Sequence, residues 1–136
     1  MKLPATDLII LNGASSSGKS TLAAAMQVRL TDETWFHVSF DAWIAGSFPP
    51  RRYFDESAPG ADAIINGFYA AVRAYIAAGN KVILDLVVGS DTALRRLAVA
   101  FEGISPLWVA VRCSPDELER RELIRGNRRL GLAGLQ

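Results

Sequence analysis

The stretch Gly13-Ala14-Ser15-Ser16-Ser17-Gly18-Lys19-Ser20 constrains this chain more than any other. It fits G-x-x-x-x-G-K-[ST], a loop that wraps phosphate groups. Its glycines let backbone N–H groups turn inward and come close to phosphate oxygens. Lys19 supplies a point charge for β- and γ-phosphates, and the Ser20 hydroxyl suits a Mg²⁺ ligand. Thr21 opens a helix-forming run, and the dipole of a helix starting there favours the same anion. The context agrees. The apolar run Leu8 to Leu11 marks a short buried strand over residues 7–11, and the run after the loop reads as a helix to about Leu30. An unrelated chain of this length would meet the pattern roughly once in a few hundred cases. The expected phosphate site therefore spans Gly13 to Thr21.

Strand-like and helix-like stretches alternate after that. Trp35 to Phe40 is rich in aromatic and β-branched residues and reads as a second strand, with Asp41 at its C-terminal end. Residues 43–60 break any long periodicity, with Pro49, Pro50 and Pro59 among glycines and charges. This irregular segment, with one short helix starting near Ala42, is expected to bind the acceptor. Ala61 to Ala78 carries Ile64, Ile65, Phe68, Val72, Tyr75 and Ile76 at helical spacing, and Gly79-Asn80 stops it. Lys81 to Val88 is nearly all apolar, as a strand buried on both faces should be. Ser90 caps a helix bearing Leu94, Leu97, Ala98 and Phe101, and Pro106 to Arg112 gives a fourth strand. Ser114-Pro115-Asp116-Glu117 starts a last helix that runs to about Arg125 and ends at Gly126.

This alternation predicts an α/β fold of three layers, a parallel sheet with helices on both faces, in a single domain over residues 1–136. Ligands in such sheets sit at the C-terminal ends of the strands. That rule gathers the phosphate loop, Asp41, Asp85 and Arg112 on one rim.

Composition excludes several classes. Half of the residues are apolar and the net charge is +1. Neither disorder nor the polybasic footprint of a nucleic-acid binder fits those values. No apolar run reaches the length of a membrane span, and no signal peptide is expected ahead of the first strand. Cys113 is the single cysteine, so no internal disulfide can form and a cytoplasmic protein is expected. Cys113 reads as a small buried hydrophobe. His37, the single histidine, lies in an apolar strand run and reads as structural, with no metal cluster around it.

Four groups of residues remain as candidates for chemistry. Asp41 could orient an acceptor hydroxyl and take its proton during phosphoryl transfer; its alternative role is a helix N-cap. Asp85 follows an apolar strand run, as a Mg²⁺-holding carboxylate does. Its alternative is an ion pair with Lys19 or another basic group. Arg121, Arg125 and Arg128 lie in the arginine-rich last quarter, where a lid over residues 120–136 could close over the phosphates. Their alternative is a solvated face paired with acidic neighbours, and Glu117 to Arg121 has the spacing for it. Aromatic residues flank Asp41, and Trp43, Phe48 and Phe54 are the best placed to wall an apolar or aryl acceptor. Ordinary core packing is the alternative there.

Several stretches together resemble the chloramphenicol phosphotransferase family. They are Ile10 to Ser20, Phe40-Asp41-Ala42-Trp43-Ile44, Val82-Ile83-Leu84-Asp85 and Leu107 to Cys113, followed by Arg121-Glu122 and Arg125-Gly126-Asn127-Arg128. The resemblance implies a P-loop kinase fold close to the nucleoside-monophosphate kinases, with the first strand between the third and fourth. It implies ATP as donor and the primary hydroxyl of chloramphenicol as acceptor, a reaction that inactivates the antibiotic. Asp41 maps to the base, and Arg121, Arg125 and Arg128 map to the lid. Family members continue past the lid with a fifth strand and a final helix. A chain ending at Gln136 is expected to lack both.

The reading with the widest support is a Mg·ATP-dependent phosphotransferase acting on a small-molecule hydroxyl. The alternatives are a kinase for another small metabolite or nucleotide, a nucleotide-binding switch, and an inactive truncated homologue.

Overall fold

A computed structural model describes residues 2–46 and 54–125. Phe48 and Arg128, both expected at the site, lie outside those residues. Four strands and five helices follow in order: β1 (Leu8–Asn12), α1 (Lys19–Arg29), β2 (Trp35–Ser39), α2 (Phe40–Ala45), α3 (Ala61–Ala77), β3 (Lys81–Leu86), α4 (Asp91–Ala100), β4 (Leu107–Ala110) and α5 (Pro115–Arg125). The sheet is parallel throughout, in the order β2-β3-β1-β4. The first strand thus lies between the third and fourth, as the resemblance implies.

Strand alternation divides the core into two layers. Leu8 and Ile10 of β1 face one side with Val82, Leu84 and Leu86 of β3, and α3 and α4 cover them with Ile65, Phe68, Val72 and Leu97. Ile9 and Leu11 face the other side with Ile83, and α1 covers them with Ala23 and Met26. The four residues Leu8 to Leu11 are wholly buried. Truncating any one of them to alanine is worth about 2–5 kcal/mol. This central strand holds the phosphate loop at its C-terminal end.

Element boundaries differ slightly from the sequence reading. β1 runs over 8–12 and not 7–11. β2 ends at Ser39 and not Phe40, because the Ser39 hydroxyl accepts from the Ala42 backbone N–H and starts α2. Asp41 therefore stands inside the first turn of α2 and is not its cap. β3 ends at Leu86 and not Val88, because the Val88 N–H turns to the Asn12 side-chain oxygen at 2.9 Å. β4 is shorter than residues 106–112, although the Val111 N–H still bonds the Asn12 carbonyl at 2.8 Å. α3 stops where expected: Gly79 takes φ +99° and donates to the Ile76 carbonyl.

Candidate active site

The phosphate loop is built around two left-handed residues. Ser16 has φ +64° and Gly18 has φ +102°. A serine there is unfavourable on its own, and such turns aim successive N–H groups into one concavity. Gly18 also occupies the N-cap position of α1, which carries no side-chain cap. The first N–H groups of that helix are thus left facing the loop, as an anion site requires. Gly13 is fixed by close approach. A Cβ there would meet the Val111 carbonyl oxygen at 2.3 Å and the Ser17 hydroxyl at 2.8 Å.

The loop's side chains are placed for phosphate and cation. Lys19 is buried and donates to the Gly13 and Ala14 carbonyls at 2.6 and 2.8 Å. Its ammonium is thereby folded over the concavity. Ser20 donates its hydroxyl to Asp85 Oδ2 at 2.6 Å. Ser17 is buried, and its hydroxyl has no partner among the described residues. Leaving it so costs about 1–3 kcal/mol, which a phosphate oxygen would recover. The left-handed cradle, the uncapped helix and this buried hydroxyl fit a nucleotide's phosphates.

Asp85 closes the site from β3. It is 5% exposed and sits in register with Leu11 of β1 and Ser39 of β2. Burial pushes its carboxyl up. Hydrogen bonds from His37 and Ser20, with the charge of Lys19, outweigh that and hold it below the ordinary carboxylate value. Asp85 is therefore an anion beside the Ser20 hydroxyl. No group of three or more His, Cys, Asp or Glu gathers among the described residues. The pair nevertheless fits Mg²⁺, which takes few protein ligands and draws the rest from phosphates and water.

His37 was expected to be structural, with no role assigned. Its Nε2 lies 3.1 Å from Asp85 Oδ2. A diagonal contact between neighbouring strands has no local signature in sequence, because it depends on the register of β2 against β3. Cys113, expected to be buried, is only half-buried.

The arginines of α5 reach the loop. Arg121 donates to the Ser16 carbonyl and Arg125 to the Ser16 hydroxyl, both at 3.2 Å. Glu117 accepts from Arg121 Nε at 2.7 Å, so the spacing-based pair forms without drawing Arg121 off the loop. Arg120 and Arg121 together pull the Glu117 carboxyl down to about 2. Ser114 caps α5 by accepting from the Glu117 N–H.

The aromatic residues divide into separate surroundings. Phe54 packs edge-on against Phe40, and Phe40 and Trp43 both pack edge-on against the buried Phe68. Trp43 is half-exposed and lines a groove with Phe36 and Tyr75 along the outer edge of β2. A cavity of about 190 Å³ opens beside the ends of β3 and α3, with Phe40, Ile65 and Leu86 as its apolar side and Glu56, Tyr69 and Arg96 as its polar side. Phe40 brings it next to Asp41, which is exposed on the rim. Trp43 and Phe54 do not line it.

Comparison with known proteins agrees with this arrangement. A family model described as chloramphenicol phosphotransferase-like protein matches residues 6–136. Two strains of Mycobacterium tuberculosis carry a relative named as a candidate O-phosphotransferase. It is 35% identical over 152 aligned positions, which cover 95% of this chain and 67% of the relative. Among solved structures, a chain of the Pnkp1/Rnl/Hen1 RNA repair complex superposes with a TM-score of 0.73 at 24% identity. That match covers 95% of this chain and 40% of the other, so this chain spans about two fifths of its length. A candidate kinase from Chloroflexus aurantiacus superposes with a TM-score of 0.68 at 21% identity, covering 98% of this chain and 76% of that one. Both structures share the fold.

Proposed function

We propose, from the premise that this chain belongs to the chloramphenicol phosphotransferase-like family, that it transfers a phosphoryl group from Mg·ATP to the hydroxyl of a small molecule. The observation that carries this reading is the pair of arginines on the loop. Arg121 and Arg125 both donate onto Ser16, so the chain brings its own cations to the place where γ-phosphate charge would build up. A nucleotide switch has less use for such groups in cis.

Each residue then has a task. Bound Mg·ATP would supply the phosphoryl group and part of the charge that balances it. The loop from Gly13 to Thr21 holds the phosphates through its N–H groups and the Ser17 hydroxyl. Lys19 leaves the Gly13 and Ala14 carbonyls and turns to the phosphates. Ser20 would offer its lone pairs to the cation while its O–H stays directed at Asp85. Asp41 takes the proton of the acceptor hydroxyl, and Arg121 and Arg125 offset charge in the transition state. Catalysis of this kind is mainly positioning and electrostatics.

The acceptor would lie in the cavity beside Phe40. Its apolar side suits a chloramphenicol-like aryl acceptor, and the family favours that choice. Glu56 and Arg96 on the polar side favour a second reading, another small metabolite with more hydrogen-bonding groups. In this account residues 1–136 form one kinase domain, residues 43–60 shape the acceptor site and the lid starts near Arg120. A cytoplasmic setting suits a chain whose single cysteine forms no internal disulfide.

Two variants test the assignment. Lys19→Ala should abolish transfer and weaken ATP binding strongly. Asp41→Ala should abolish transfer and leave ATP binding within about twofold, because the base touches only the acceptor. An Asp41→Ala protein with normal turnover removes the base from this account.

A further inference from the structure

The geometry points to His37 as the residue that positions Asp85 for its cation, a role that rests on the kinase reading of the site. Asp85 is nearly wholly buried, and one of its oxygens, Oδ2, accepts from the Ser20 hydroxyl at 2.6 Å and lies 3.1 Å from His37 Nε2. A carboxylate that holds a cation is ionised and can only accept, so in this role His37 presents an N–H at Nε2.

The two donors differ in what they can do once a cation arrives. Ser20 is itself a cation ligand, so its hydroxyl must reorient around the metal while keeping its proton toward Asp85. His37 has no such second duty. It is rooted in β2, two residues before Ser39, and Ser39 is the register partner of Asp85. The imidazole therefore reaches the carboxylate from a rigid neighbouring strand and holds it still while the Ser20 side adjusts. Partners behind a metal-holding carboxylate usually matter about 10–100-fold in metal affinity.

The register explains why this position can do so. His37 faces Ile83 across the β2–β3 pair, on the same sheet face as Asp85 and the α1 layer. A residue one place earlier or later in β2 would face the opposite layer. His37 is partly exposed, with 22% of its side chain accessible, so it is not held there by core packing alone.

The test measures nucleotide binding with and without Mg²⁺, which reports the cation site independently of transfer. A non-hydrolysable ATP analogue is titrated into wild type, His37→Ala and His37→Gln, and thermal unfolding is recorded for each. Glutamine can place an amide N–H near the position of Nε2. The expected result is that His37→Ala weakens the Mg²⁺-dependent part of binding by about tenfold or more, and His37→Gln recovers most of it. Binding without Mg²⁺ should stay within about twofold in all three. A His37→Ala protein with the wild-type response to Mg²⁺ overturns the role. So does an equal loss of binding with and without Mg²⁺, which marks a merely structural residue. If wild type binds the analogue equally well with and without Mg²⁺, the cation site fails and this role fails with it. If wild type does not bind the analogue at all, the kinase reading itself falls.

Discussion

Gly13→Ala offers a sharp test of how the phosphate loop is seated. The Cβ it adds would sit 2.3 Å from the Val111 carbonyl oxygen, whereas real contacts of this kind do not fall below 3.0 Å. Val111, just past the end of β4, must then retreat by about 0.7 Å. It is not free to do so, because the Val111 N–H is bonded to the Asn12 carbonyl, one residue before Gly13. Overpacking of this kind costs about 1–3 kcal/mol, and straining that bond adds about 1 kcal/mol. The expected loss is about 2–4 kcal/mol. With a urea slope of about 2 kcal/mol per molar, the unfolding midpoint should fall by about 1–2 M. Gly67→Ala is the control. Gly67 lies inside α3 with nothing within 4 Å of an added Cβ, so the variant should gain about 0.5–1 kcal/mol. Urea unfolding of both variants, followed by circular dichroism, decides the matter. A Gly13→Ala protein as stable as wild type would show that the loop does not press against β4, and the placement of Ser17 and Lys19 would lose its basis.

Other perturbations follow from the same contacts. Arg121→Ala should lower kcat by about 10²–10³-fold while nucleotide affinity changes less than tenfold, and Arg125→Ala should do less, as measured by steady-state kinetics. Asp85→Asn tests the acid limb of stability. The folded carboxyl titrates below its ordinary value of 3.8, so its contribution is complete above that value and is lost as pH falls through the lower folded one. The stability gap between wild type and Asp85→Asn should therefore narrow below about pH 4. Phe68→Ala should cost about 3–5 kcal/mol by denaturant titration, because this wholly buried ring touches Phe40, Trp43 and Tyr69.

Much of the fold was legible because its signals are local. The run from Leu8 to Leu11, the phosphate loop and the spacing along α3 each declare their element without reference to distant residues. The rim followed from the strand–helix alternation, and it gathers Lys19, Ser20 and Asp85 as expected. What sequence hid was side-chain direction across elements. Trp43 is a near neighbour of Asp41 in the chain, yet the turn into α2 sends it to Phe68 and the outer edge of β2. His37 looked like one more buried strand residue, because its contact with Asp85 depends on the register of β2 against β3, which neither strand encodes alone. Arg121 and Arg125 share a helical face by spacing, but that spacing could not say whether the face meets Ser16 or water.

The central claim is that the loop serves a transfer reaction to a hydroxyl. The most direct measurement follows the γ-phosphate of labelled ATP, with Mg²⁺, with and without chloramphenicol and a panel of other small hydroxyl compounds. The account predicts label in an acceptor and ATP consumption that rises at least tenfold when that acceptor is added. Slow release of inorganic phosphate at one rate, unchanged by every acceptor, would contradict it.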